Sequence, residues 1–270
     1  MIPRKYPSLK LVWTAGGLLL VSSITFLLAT PGGVLRKADM IGYAVCHQIE
    51  SHSFVLASRQ LPLCARCTGT FLGALVGLFG QGVVLRRRRA SALPPAPVLA
   101  VLITFSMAWA ADGVNSYLAL MGGPHLYQPT NELRLVTGAL NGMTMSALVF
   151  PVFNVSLWLD PIDRSAIRGI RDLSILLVME LGLVALVLSR WGFLLYPLAL
   201  FSAAAVLTML TSVNSVIGII LLGRDNSATM WHEALLPIAI GLILSLVQIG
   251  LIDLLRYSLT GTLEGIPPVS

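Results

Sequence analysis

Two short clusters carry the residue types most suited to chemistry: Cys46-His47 and, after sixteen intervening residues, Cys64-Ala65-Arg66-Cys67. Thiolate and imidazole are ligands that zinc prefers, and three cysteines with one histidine complete a tetrahedral Cys3His set. Iron also accepts such thiolates. The C-x-x-C half has metal-knuckle spacing, and a loop of this length closes at modest entropic cost. Adjacent side chains such as Cys46 and His47 point apart on a regular backbone. Ligation of one ion by both therefore demands a bend at that point.

The same cysteines support other chemistry. In an oxidising compartment Cys64 and Cys67 could form a structural or redox-active disulfide, leaving Cys46 unpaired and no metal bound. Pro62 just precedes the expected start of a helix, so Cys64 and Cys67 fall at a helix N-terminus. There the dipole and Arg66 favour thiolate, which makes a good ligand and a good nucleophile. The corresponding functional alternatives are a metal-binding membrane protein, a membrane thiol–disulfide oxidoreductase, and a non-catalytic subunit of a membrane complex. In the last, the cysteines only pack or staple the surface.

A second constellation is polar. Asp112 and Asn115 lie late in an apolar stretch, and Asn131, Arg134, Gly138 and Asn141 fall on one helical face. A carboxylate in a bilayer should face the bundle interior and a partner, for which Arg134 is the expectation. Asp112, Asn115, Asn131 and Arg134 would thus line a pocket, with Arg59 and Arg66 as candidates for holding an anion. His52 and His125 lie in the same outer loops. Glu180 and Asp253 fall within apolar segments, where interhelical hydrogen bonding is the expectation and a proton path the alternative. No P-loop, Rossmann glycine pattern, HExxH or G-x-S-x-G motif is present.

These residues must be positioned by membrane helices. Of the 270 residues, 56% are hydrophobic and 11% charged, with a mean hydropathy of +0.84. That leaves too little polar surface for a soluble domain, and the continuous apolar runs lack the alternation of a membrane barrel. An all-α integral membrane protein follows. At 1.5 Å per residue a span needs about 20 apolar residues. Seven segments qualify: Leu11–Ala29, Cys67–Leu85, Pro97–Leu120, Leu135–Trp158, Leu173–Ser189, Phe193–Leu222 and Leu235–Leu255.

The first span, with a basic decapeptide before it, reads as a retained signal anchor. Three regions result: a signal-anchor helix over 1–35, a Cys/His loop with spans two to four over 36–150, and spans five to seven over 151–270. Eleven of the 18 Lys and Arg fall on the side that carries the Arg86–Arg89 run. The N-terminus is therefore expected in the cytoplasm and the Cys/His loop at the outer face of the plasma membrane. The arginine run reads as a topology anchor that contacts lipid headgroups, and no nucleic-acid partner is expected. Gly69, Gly73 and Gly77 on span two, with Gly138 and Gly142 on span four, form small-residue stripes. Those two helices should pack closely.

The chain resembles a family of predicted bacterial and archaeal multi-pass membrane proteins, the domain of unknown function number two thousand and eighty-five. The resemblance rests on Cys46-His47-Gln48, on Leu61 to Gly69 with Gly73, on Asp112-Gly113, and on Asn131-Glu132-Leu133-Arg134 with Thr137-Gly138. It covers about residues 40–145. It implies a membrane location and a shared polar site, and brings no activity with it.

Overall fold

A computed structural model describes residues 9–30, 32–223 and 225–265 of the chain. Of the basic residues used to orient it, Arg4, Lys5 and Arg224 lie outside the described residues.

The chain is built of helices. In order they are α1 (Leu9–Ala29), α2 (Val34–Val45), α3 (Ala65–Phe79), α4 (Ala96–Leu120), α5 (Asn131–Leu157), α6 (Ile170–Leu188), α7 (Leu195–Leu221) and α8 (Trp231–Thr260). Two small sheets join them. The strands β1 (Ser53–Leu56) and β2 (Arg59–Cys64) form an antiparallel hairpin, while β3 (Ala90–Ala92) and β4 (Ile162–Ser165) pair in parallel.

Among the described residues five stretches are long and apolar enough to cross a membrane: Ala65–Val84, Ala96–Leu120, Asn131–Leu157, Gly192–Leu221 and Trp231–Thr260. A sixth results if α1 and α2 act as one span bent by 106°. The seven-span expectation therefore stands at five to six. The shortfall at the fifth expected span has a physical cause, since α6 carries Arg171, Asp172 and Glu180 within 19 residues. The first loop is also more ordered than expected, because it contains α2 and the hairpin.

The tightest seam runs between α3 and α5, as the glycine stripes predict. A Cβ on Gly138 would sit 2.3 Å from the Arg66 carbonyl oxygen, and one on Gly142 would sit 2.1 Å from that of Thr70. Backbone meets backbone there, which fixes the rotation and level of both helices. Asn131 starts α5 beneath a Thr130 cap, whose side chain accepts from the Leu133 N–H. Beyond Phe79, α3 continues into a wider π turn over Gly80–Val84, and the Arg86–Arg89 run follows at that far end.

Candidate metal centre

Cys64 is the residue that caps α3, with φ −63° and ψ 161°, and it is also the last residue of β2. The hairpin thus delivers Cys64 directly onto a helix N-terminus, and Cys67 follows in the first turn. Cys46 arrives from the opposite direction, in extended conformation just past the end of α2.

The bend demanded by Cys46-His47 is present at the next residue. Gln48 adopts φ +53°, a left-handed conformation uncommon for a residue with a side chain. Its amide side chain secures the turn by donating to the carbonyls of Asp39 and Pro62, both at 2.8 Å. Gln60 holds it from the other side through the Gln48 carbonyl at 2.9 Å. Gly42 permits the close approach of α2 to β2, because a Cβ there would sit 2.2 Å from the Pro62 oxygen.

The ligand atoms of Cys46, His47 and Cys64 consequently lie within 4.8 Å of one another. Cys67 comes within hydrogen-bonding reach of Cys46 and Cys64. All three cysteines are free thiols, with Cys46 and Cys64 buried. The Cys46 sulfur accepts the backbone N–H groups of Cys64 at 3.2 Å and Gln48 at 3.4 Å. His47 Nδ1 accepts the Ile49 N–H at 2.9 Å. The three thiols are not equivalent. Cys64, which receives hydrogen bonds from Cys46, Cys67 and His47, is held well below the usual thiol range. Cys46, donating to Cys64, is pushed up to about 12. His52 stands edge-on to His47 at 5.5 Å between ring centres. Burial first, then Arg134 and His47, pull His52 down to about 4, so it stays neutral.

The polar constellation lies beside this cluster. Asp112 is 1% exposed, and its partner is Arg66 rather than the expected Arg134. Arg66 Nε donates to Asp112 Oδ2 at 3.2 Å, and a terminal nitrogen reaches Ser116 Oγ at 2.8 Å. The Tyr127 hydroxyl donates to Asp112 Oδ1 at 2.9 Å. Asn115 holds the α4–α5 loop, accepting from the Leu126 N–H at 2.7 Å and donating to the Tyr127 carbonyl at 2.9 Å. Asn131 donates to the Ser51 carbonyl at 3.1 Å and to the Ser53 carbonyl at 3.3 Å, and so ties α5 to the start of the hairpin. Of the two anion candidates, Arg66 is engaged by Asp112 and Arg59 by Asp39 at 2.7 Å. His125 bonds within its own loop, away from the cluster.

Arg134 differs from its neighbours. It is 5% exposed and makes no ion pair among the described residues. One terminal nitrogen donates to Asn131 Oδ1 at 2.8 Å, but its Nε has no partner. It lies close enough to Cys64 for their charges to interact. On the other side of the cluster, Arg256 of α8 donates to the Cys46 carbonyl at 2.7 Å and covers the Tyr43 ring. Asp39, Gln48, Ser116, Tyr127 and Arg256 are contributors that residue type and spacing do not reveal. Only Gln48 carried a sequence signal, as the residue that follows Cys46-His47 in the resembling motif.

Two comparisons with known proteins find matches. An uncharacterised protein of Methanocaldococcus jannaschii is 28% identical over 109 residues, which are 40% of this chain and 64% of that protein. The chain thus spans less than two thirds of that relative's length. No solved structure matches. The matching family model, described as a predicted membrane protein (DUF2085), covers residues 46–148, which begin at the first cysteine of the cluster and end within α5.

Proposed function

We propose that this chain is a multi-pass membrane protein that binds a metal ion, with zinc as the best fit, through Cys46, His47, Cys64 and Cys67. The observation that carries the reading is the convergence of three ligand atoms within 4.8 Å, with a third thiol in hydrogen-bonding reach. Two features support it. Backbone N–H groups donate to the Cys46 sulfur, an arrangement that stabilises a ligating thiolate. Arg134 is a buried cation that makes no direct ion pair among the described residues, with the Asp112 carboxylate acting on it only at longer range and already paired with Arg66; such a charge costs several kcal/mol unless something negative compensates it. Three thiolates on one divalent ion carry a net negative charge, which Arg134 would balance.

A bound ion would join the end of α2 to the hairpin and to the start of α3. With four protein ligands it closes the site and serves structure; with three it leaves a position for water. Asp112, Asn115, Asn131 and Arg134 would then form the polar wall beside it.

The same reading includes seven spans in the plasma membrane, an N-terminus in the cytoplasm, and lipids and other membrane subunits as partners. The pairing of β3 with β4 supports that orientation. It gathers Arg86–Arg89 with Arg164 at the end of α3 opposite the cysteines, as expected if that end faces the cytoplasm.

One observation favours a second reading. His47 Nδ1 accepts a backbone N–H, so a neutral imidazole carries its proton on Nε2. His47 is then a donor to the Cys64 thiolate, the arrangement of an activated nucleophile. In a thiol oxidoreductase, Cys64 would attack a partner's disulfide and release one partner thiolate. Cys67 or Cys46 would resolve the mixed disulfide, leaving the partner reduced and this chain oxidised by two electrons.

Elemental analysis of the detergent-purified chain beside C64S and C67S, with thiol counting, separates the two. Near-stoichiometric zinc that is lost in both variants is the expected result. No metal, with one free thiol when oxidised and three after reduction, would overturn the metal reading and favour the second.

A further inference from the structure

The helix bundle holds a carboxyl group that the metal centre does not use. Glu180, midway along α6, is 2% exposed, and neither of its carboxyl oxygens has a hydrogen-bond partner. The group is wedged where three helices meet. A Cβ on Gly73 of α3 would stand 3.0 Å from Glu180 Oε2 and 2.6 Å from the Ala139 carbonyl of α5. Small residues on α3 and α5 therefore form the notch that the carboxyl fills.

Among the described residues no counter-charge reaches this notch. On α3 the titratable groups are Arg66 and Cys67, and on α5 they are Glu132 and Arg134, all within the first turn of their helices. On α6 they are Arg171 and Asp172, also in the first turn. An ionised carboxylate so placed would lose its hydration and gain neither a cation nor a donor, a cost of several kcal/mol. A metal or alkali cation would require several oxygen ligands. Here one carboxyl is offered, and the neighbouring helix carbonyls serve their own ladders. The ligand that fits is the smallest one, a single proton.

We propose that Glu180 is a proton-binding site inside the α3–α5–α6 bundle, occupied at neutral pH. It lies about two and a half helical turns, ~13 Å along α3, from Cys64, and it belongs to the half of the chain beyond the family match. Release of that proton requires water to reach the seam or α6 to separate from it, so its occupancy reports on the closure of the bundle.

Infrared spectroscopy of the full-length chain in lipid nanodiscs, with 13C-labelled glutamate carboxyls, tests this. The chain has five glutamates. Glu50, Glu132 and Glu264 are exposed, and Glu233 accepts hydrogen bonds from Thr229 and Met230 that favour its ionised form. The expected spectrum at neutral pH contains one label-shifted C=O band of a protonated acid, lost in E180Q while metal content is unchanged. Only carboxylate bands in the wild type, or a protonated band that survives in E180Q, would overturn the proposal. If E180Q does not fold, the wild-type spectrum alone still decides it, because the other four glutamates contribute carboxylate bands.

Discussion

The two ends of the α3–α5 pair are both crowded with arginines, yet they are organised differently. At the Arg86–Arg89 end, polar groups find each other. Arg87 pairs with Asp172, and a terminal nitrogen of Arg89 donates to the Thr229 carbonyl at 2.6 Å while its guanidinium stacks over Trp158. Asn154 bridges the Ala90 carbonyl and the Trp158 indole, each at 2.9 Å. At the cysteine end, Arg66 and Arg59 are paired in the same way, but Arg134 has an orphan Nε and three thiols stand free beside it. A satisfied polar network is a staple. Groups buried without their full set of partners need compensation from elsewhere, and at the cysteine end the proposed metal ion would supply it.

Substitutions can break this contrast or sharpen it. The largest effect should come from Gly138→Ala, which drives a methyl into the Arg66 carbonyl oxygen and parts the seam on which both ends depend. A loss of about 3 kcal/mol or more is expected, with metal content falling alongside, measured by thermal unfolding in detergent and elemental analysis. Metal removal comes next. A strong chelator should lower the unfolding midpoint of the wild type and leave that of C64S unmoved; equal midpoints with and without chelator in the wild type would erase the distinction between the ends. Arg134→Met should weaken metal affinity about 10- to 100-fold in competition titrations, the range typical of groups that support ligands. Arg87→Ala at the opposite end should cost about 1.5–3 kcal/mol of stability and leave metal affinity alone. The exposed Arg190–Glu132 pair should matter least, with Arg190→Ala costing under about 1 kcal/mol.

The sequence made some of this legible and hid the rest for identifiable reasons. Apolar length located the helices to within a few residues, since a span has to bury its own backbone polarity. Residue type alone picked out Cys46, His47, Cys64 and Cys67, and the glycine stripes announced the α3–α5 seam. The partner of Asp112 was not readable. Arg66 and Arg134 lie at the same level of the bundle, and the choice between them depends on how α3 is rotated, which the Gly138 contact with the Arg66 backbone settles. The turn at Gln48 was hidden as well, because glutamine has no intrinsic preference for positive φ. Tertiary hydrogen bonds to Asp39 and Pro62 impose it. The expected span at α6 is the one that a test of length and composition leaves out, because Arg171, Asp172 and Glu180 interrupt its apolar run.

Arg256 has a bearing on how this protein can be taken apart. It comes from the last helix, outside residues 46–148, yet donates to the carbonyls of Tyr43 and Cys46 and lies 3.7 Å from the Tyr43 ring centre. The stretch shared with relatives is therefore not a self-sufficient module in this chain: an excised fragment would leave the backbone at its first cysteine without its anchor. A relative that carries the cysteine stretch without a counterpart of α8 must secure that backbone by other means. Grafting α8 onto such a protein is accordingly a question of supplying one guanidinium at the right height, more than of matching a helix.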